Sequence, residues 1–197
     1  MKILAAGDIH GDTNLARQLA EKANKENVDL VILCGDLTER DKNADNLIGL
    51  FKQKLLLIPG NHESLATIDF LAERYKAKNL HGYSIRVDNV GLFGCGLAHM
   101  GLSQITEEEM MDLLRKGHKY VENCNKKIMV THVPPSGIIG EKLSQFVSGS
   151  NSVKKALEEL APDILFCSHI HEAEGMEEMV GNTRVINVGR KGKILEV

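Results

Sequence analysis

The chain has 197 residues, with 24 Lys or Arg against 27 Asp or Glu, a net charge of −3, 43% hydrophobic residues and only 4% aromatic ones. That length builds a large core without disulfides or structural metals, and one domain spanning 1–197 is the expectation. The balanced charge excludes a general electrostatic pull toward nucleic acid or anionic membrane, so any phosphate-bearing partner must be held locally.

The first apolar run, "KILAAG" (2–7), reads as a buried strand, and behind a capping Asp12 residues 13–26 place Leu15, Leu19 and Ala23 on one helical face. "VDLVILCG" (28–35) is a second strand that stops at Gly35-Asp36. Residues 44–51 carry Ala44, Leu47, Ile48 and Phe51 at 3.6 spacing, which predicts a short helix. "KLLLIPG" (54–60) is the third strand, and a helix over 65–75 follows, with Leu65, Ile68, Leu71 and Tyr75 on its face. "YSIRVDNVGLFG" (83–94) reads as two strands turning at Asp88-Asn89. In "TEEEMMDLL", Thr106 and Glu109 stand at capping-box spacing ahead of Met110, Leu113 and Leu114. "KKIMVTH" (126–132) and "DILFCSH" (163–169) are further strands, separated by a helix from about 152 to 160 that Pro162 stops. The tail from 175 to 197 reads as short strands turning at Gly181-Asn182 and Lys191-Gly192. Alternating strands and helices followed by antiparallel strands describe an α/β domain.

Four widely spaced cysteines form no CxxC pair, and Cys34, Cys95 and Cys167 lie inside apolar runs, as small buried hydrophobes of a reducing compartment do. "MKILAAGDIH" is too short for a signal-peptide core and no run approaches a membrane span, so the cytoplasm is expected.

The apolar runs end in polar residues of a restricted kind: Asp8 and His10, Asp36, Asn61 with His62 and Glu63, His132, then Ser168, His169 and His171. Residues two apart in an extended chain share a side, so Asp8 with His10 and His169 with His171 read as two pincers. Parallel α/β sheets bind ligands outside the carboxyl ends of their strands, where all of these converge. Carboxylates, imidazoles and one amide oxygen are donors that borderline divalent transition metals accept. Asp36, between the pincers, is placed to bridge two cations.

In order, "GDIHG", "GD", "GNHE", "TH" and "SHIH" resemble the blocks D-x-H, G-D, G-N-H-[DE], H and G-H-x-H of the calcineurin-like metallophosphoesterases, over residues 8–171. "THVPPSG" and "SHIHEAEG" are similar to the small bacterial and archaeal phosphoesterases of that superfamily. One departure is Ser168, where the family usually has glycine. The resemblance implies a four-layer αββα sandwich, two mixed β-sheets face to face flanked by helices. It implies that Asp8, His10 and His171 hold one metal and Asn61, His132 and His169 the other, with Asp36 bridging. It also implies that His62 is no ligand but acts on the transferring phosphoryl group or the leaving oxygen. The implied cofactors are two divalent transition-metal ions (Mn, Fe, Zn, Ni or Co, with manganese favoured) that generate a bridging hydroxide.

Arg40 and His99 are candidate substrate-binding residues. Glu39 and Arg40 fall where protein phosphatases of the superfamily orient the catalytic histidine and grip phosphate, although the solvated first turn of a helix is the commoner reading of such a pair. His99 lies in the glycine-rich "FGCGLAHMG", an equally ordinary place for an idle loop histidine. His81 and His118 read as surface residues, Lys116, Lys119, Lys126 and Lys127 as a solvated face, and "GSNSVKK" as a helix cap or an anion site. The expected activity is hydrolysis of a phosphoester, a phosphodiester slightly preferred, on a small-molecule or nucleotide-type substrate. The alternatives are a phosphomonoesterase or protein-phosphatase-like activity, and a non-catalytic metal-binding scaffold that binds protein. No basic groove for long nucleic acid is visible, and a homo-oligomer stays open.

Overall fold

The computed structural model describes residues 1–42, 47–144 and 146–197. Strands β1 (Lys2–Ala6), β2 (Leu30–Cys34), β3 (Lys54–Ile58) and β4 (Lys78–Asn79) pair in parallel, and β11 (Lys193–Glu196) lies antiparallel along β1. In the second sheet β6 (Val90–Cys95), β7 (Lys126–Thr131), β8 (Ile164–Cys167) and β10 (Thr183–Asn187) are parallel, in the order β6-β7-β8-β10. Its antiparallel edges are β5 (Ser84–Val87) and β9 (Glu177–Val180).

Alternation along the strands divides the apolar residues among three layers of core. Leu4, Ala6, Val31 and Leu33 meet Leu19 and Ala23 of α1 (Thr13–Lys25) and Ile68 and Leu71 of α2 (Leu65–Arg74). Phe93, Met129 and Leu165 meet Met110 and Leu114 of α3 (Glu107–Lys119) and Val153 and Leu157 of α4 (Asn151–Leu160). Between the sheets, Ile3, Ile32 and Ile58 face Val130, Phe166 and Ile186. A strand covered on both faces must be apolar throughout, which is why the parallel strands read as unbroken runs. The result is the expected order of helices, sheet, sheet, helices.

Caps fix the helices where the sequence placed them. Asp12 accepts from the N–H groups of Asn14 and Leu15, and the Thr106–Glu109 capping box is complete. At α4, Ser150 accepts from Val153 N, and Glu107 accepts from the N–H groups of Asn151 and Ser152. A carboxylate of the chain itself therefore occupies this helix start, so the anion reading of "GSNSVKK" gives way to capping. Ala161, left-handed at φ 43°, ends α4 just before Pro162.

The helix expected over 44–51 is corrected. Its first residues, Ala44 among them, lie outside the described residues, and 47–50 form turns. Leu47, Ile48 and Phe51 are buried all the same. Gly49 is a poor helix former, and it sits so close to the Tyr75 ring that an added Cβ would lie 2.6 Å away. His81 is corrected as well: it is partly buried and its Nδ1 accepts from Gly96 N at 3.0 Å, while burial lowers its pKa to about 4. His118 packs its ring against Phe93, with centroids 5.3 Å apart. All four cysteines are free and buried, and among the described residues no helix is long and apolar enough to cross a membrane.

Candidate metal centre

Loops leaving the carboxyl ends of β1, β2 and β3 in one sheet meet loops leaving β7 and β8 in the other. Within the first sheet the strand ladder continues into the loops, Asp8 N donating to Gly35 O at 3.0 Å and His10 N to Asp36 O at 2.8 Å. Across the sheets, His132 Nδ1 donates to Cys34 O at 2.9 Å, and His169 N lies 3.2 Å from Asp8 Oδ2. Asp8, His10, Asp36 and His169 all hold left-handed backbone, with φ between 50° and 70°. Side-chain-bearing residues enter that region at a cost, and such residues cluster at functional sites.

The donor atoms of the expected ligands fall into two groups joined by one carboxylate, and a third group of His10, Glu39 and His62 lies beside them. Atoms of Asp8, His10 and His171 lie within 4.8 Å of one another, as do atoms of Asp36, His132 and His169. Asp36 Oδ2 is 3.7 Å from His10 Nε2 and 3.5 Å from His132 Nε2, and Asn61 Oδ1 is 3.1 Å from His132 Nε2. Both groups draw on both sheets.

The electrostatics of the cluster suit a cation. Because His132 Nδ1 donates to Cys34, its Nε2 faces the oxygens of Asn61 and Asp36. A ring nitrogen set among oxygens requires a proton or a metal between them. Burial alone favours the neutral ring, yet Asp36 raises the His132 pKa to about 9. Burial likewise opposes charge on Asp36, but His132, His10 and His62 hold its carboxyl well below the usual range. Burial, reinforced by His132, lowers His169 to about 3, and burial also lowers His10, so both rings are neutral and free to ligate. Oxygen and imidazole donors without thiolate fit the divalent ions that the sequence implies.

A family model described as calcineurin-like phosphoesterase matches residues 1–173. The chain belongs to that family. As a calcineurin-like phosphoesterase it is a metal-dependent phosphoric ester hydrolase. Among solved structures it is similar to TT1561 of Thermus thermophilus, at 15% identity and TM-score 0.76 over 98% of this chain and 97% of that one. An archaeal phosphodiesterase matches at 18% identity and TM-score 0.55, over 96% and 84% of the two chains. A dimetal phosphatase from Danio rerio matches at 12% identity and TM-score 0.62, over 96% and 87%. Identities this low speak for the fold alone. No curated protein matches the chain.

Around the phosphoesterase cluster the other named residues sort themselves by contact. His62 donates its backbone N–H to Asp36 Oδ1 at 3.0 Å, packs edge-on to His10, and lines a pocket of about 240 Å3 with Arg40, Asn61, Gly101 and Leu102. Glu39 is no helix start. It pairs with Lys42 in a tight turn whose central residues, Arg40 and Asp41, are left-handed at φ 51° and 61°. The turn is pinned by Asp41, which donates from N to His62 O and accepts from Ser64 N. Glu39 thereby sits 3.4 Å from both His10 Nδ1 and His62 Nδ1. His99 is not brought into the pocket: its ring lies 3.0 Å from Ile105 O and 2.8 Å from Glu107 Oε1, and Gly101 and Leu102 of the same loop reach the site instead.

Sequence reasoning assigned no role to Glu63, the last letter of "GNHE". It is fully buried, and it accepts from Asp36 N, Gly60 N, Thr38 N and the Thr38 hydroxyl. It thus locks the Asp36 loop to the Asn61 loop. Its signal is present in the sequence: a carboxylate two residues after Asn61, in the loop that follows a buried strand.

Proposed function

We propose that residues 1–197 act as one domain that hydrolyses a phosphoester with two divalent cations, manganese favoured, and prefers a diester. In this reading Asp8, His10 and His171 hold one cation and Asn61, His132 and His169 the other, with Asp36 common to both. The observation that carries it is Asp36 Oδ2, 3.7 Å from His10 Nε2 and 3.5 Å from His132 Nε2, which supports one carboxylate serving two ions. Cations held there supply an activated water and neutralise phosphoryl charge. His62 stabilises the phosphoryl group or protonates the leaving oxygen, and Glu39 beside its Nδ1 supports an oriented ring with Nε2 left for the substrate. Arg40, which lines the same pocket, binds a phosphoryl oxygen. The compact pocket suits a small-molecule or nucleotide-type ester, and four buried free cysteines suit the cytoplasm.

A phosphomonoesterase is the second reading, favoured by the place of Arg40 beside His62, where added positive charge serves a dianion. The test reloads chelator-stripped protein with each candidate metal and compares kcat/KM on a bis-aryl and a mono-aryl phosphate. Metal-dependent turnover, faster on the diester and lost in Asp36→Asn together with at least one ion, is the expected result. Full activity after exhaustive chelation refutes the metal centre, and a clear monoester preference selects the second reading.

A further inference from the structure

Ser168 follows β8 at the position where the resembled pattern has glycine. It is fully buried, and its hydroxyl donates to Asp8 Oδ2 at 2.5 Å, across from one sheet to the other. Gly7 makes room for it: a Cβ added there would lie 2.5 Å from Ser168 Oγ and 2.9 Å from Ser168 Cβ. The segment presenting the hydroxyl is held on both sides, since Ser168 N donates to His132 O at 2.9 Å and Asn187 Nδ2 donates to the carbonyls of Ser168 and Ile170 at 3.4 and 3.0 Å. The same Asp8 carboxylate lies 3.3 and 3.2 Å from His169 N.

The plane of an aspartate carboxylate turns easily about χ2 unless donors hold it. A hydroxyl on Oδ2 fixes that plane beside His171, whose Nε2 is 3.7 Å from the same oxygen, and takes one of the lone pairs open to a cation. We infer that Ser168 is a positioning residue for the half-site of Asp8, His10 and His171, and sets its metal affinity apart from that of the other half-site. This role presupposes the metal-centre reading given above. Hydrogen-bond partners of metal ligands are worth roughly 10 to 100-fold in affinity. Because the His169 N–H still engages Asp8 when the hydroxyl is removed, the lower end of that range applies.

The test is equilibrium titration of chelator-stripped protein with Mn2+ alone, in wild type, Ser168→Ala and Ser168→Gly. One of two dissociation constants rises about tenfold in both variants, the other stays within about twofold, and the metal-free melting temperature falls by only a few degrees. In His171→Ala, adding Ser168→Ala weakens binding no further, which assigns the affected ion to the Asp8 half. Unchanged constants in either Ser168 variant overturn the role of Ser168, as does a joint rise of both constants with a large fall in melting temperature. Wild type that takes up fewer than two ions overturns the metal centre itself.

Discussion

Glu63→Gln removes a charge from the most enclosed carboxyl group at the site while keeping its size. Burial, then repulsion from Asp36, raises the Glu63 pKa from 4.5 to about 7, against the pull of the Thr38 and Gly60 N–H groups. The native carboxyl therefore binds its proton more tightly than the unfolded one, and the native state carries the extra proton between pH 4.5 and 7. Stability from this group is complete below about pH 4.5 and is lost as pH rises through about 7, a swing of about 3 kcal/mol. Glutamine does not titrate. Urea denaturation of metal-free wild type and Glu63→Gln at several pH values, followed by circular dichroism, isolates the group, because other ionisations largely cancel in the difference. Wild-type stability relative to the variant falls by about 3 kcal/mol from pH 4.5 to 8. The four donors that surround the carboxylate add an offset to the difference but no slope. A difference that does not change with pH refutes the assignment. Cations that neutralise Asp36 lower the Glu63 pKa, so saturating Mn2+ flattens the slope.

His62→Ala lowers turnover by roughly a hundredfold or more while metal content, measured by elemental analysis, stays near wild type; loss of an ion makes His62 a ligand. Binding of Mn2+ to metal-free protein displaces the His132 proton, so affinity climbs with pH and levels off above about 9, and calorimetry at about pH 7.5 in buffers of different ionisation enthalpy detects about one proton released. No proton released near pH 7.5 contradicts the raised His132 pKa. Gly7→Ala costs about 1–3 kcal/mol by overpacking against Ser168 and regains most of it in the Gly7→Ala/Ser168→Gly double variant; additive urea-denaturation energies rule that contact out.

The candidate ligand positions are legible because polar residues close each apolar run, a pattern that a turn-forming reading explains one at a time and not in sequence. Asp8 and His10 do come together in one donor group, but not through the pleat. β1 ends at Ala6, and left-handed turns at both residues, not an extended chain, bring them together. His169 and His171 likewise part company into different groups, since His171 opens a short 3-10 helix. Glu39 was misread because a tight turn with left-handed arginine and aspartate has no local sequence preference behind it; Asp41 and Ser64 impose it through tertiary bonds. The loop of His99 does border the pocket, but through Gly101 and Leu102, while the His99 ring lies 2.8 Å from Glu107 Oε1 at the start of α3.

The apolar layer between the sheets acts as a spacer. Asp8, His10, Asp36 and Asn61 hang from one sheet and His132, His169 and His171 from the other, so the thickness of the layer containing Ile32, Val130 and Phe166 helps set the span between the two sets. Metal–ligand bonds tolerate deviations of only about 0.2 Å, less than the width of one methylene. Exchanges among aliphatic residues of similar volume in this layer, which packing tolerates at less than about 1.5 kcal/mol, therefore bear on what the cleft can coordinate. Divergence in metal preference within such a fold can accumulate at buried positions that no substrate ever touches.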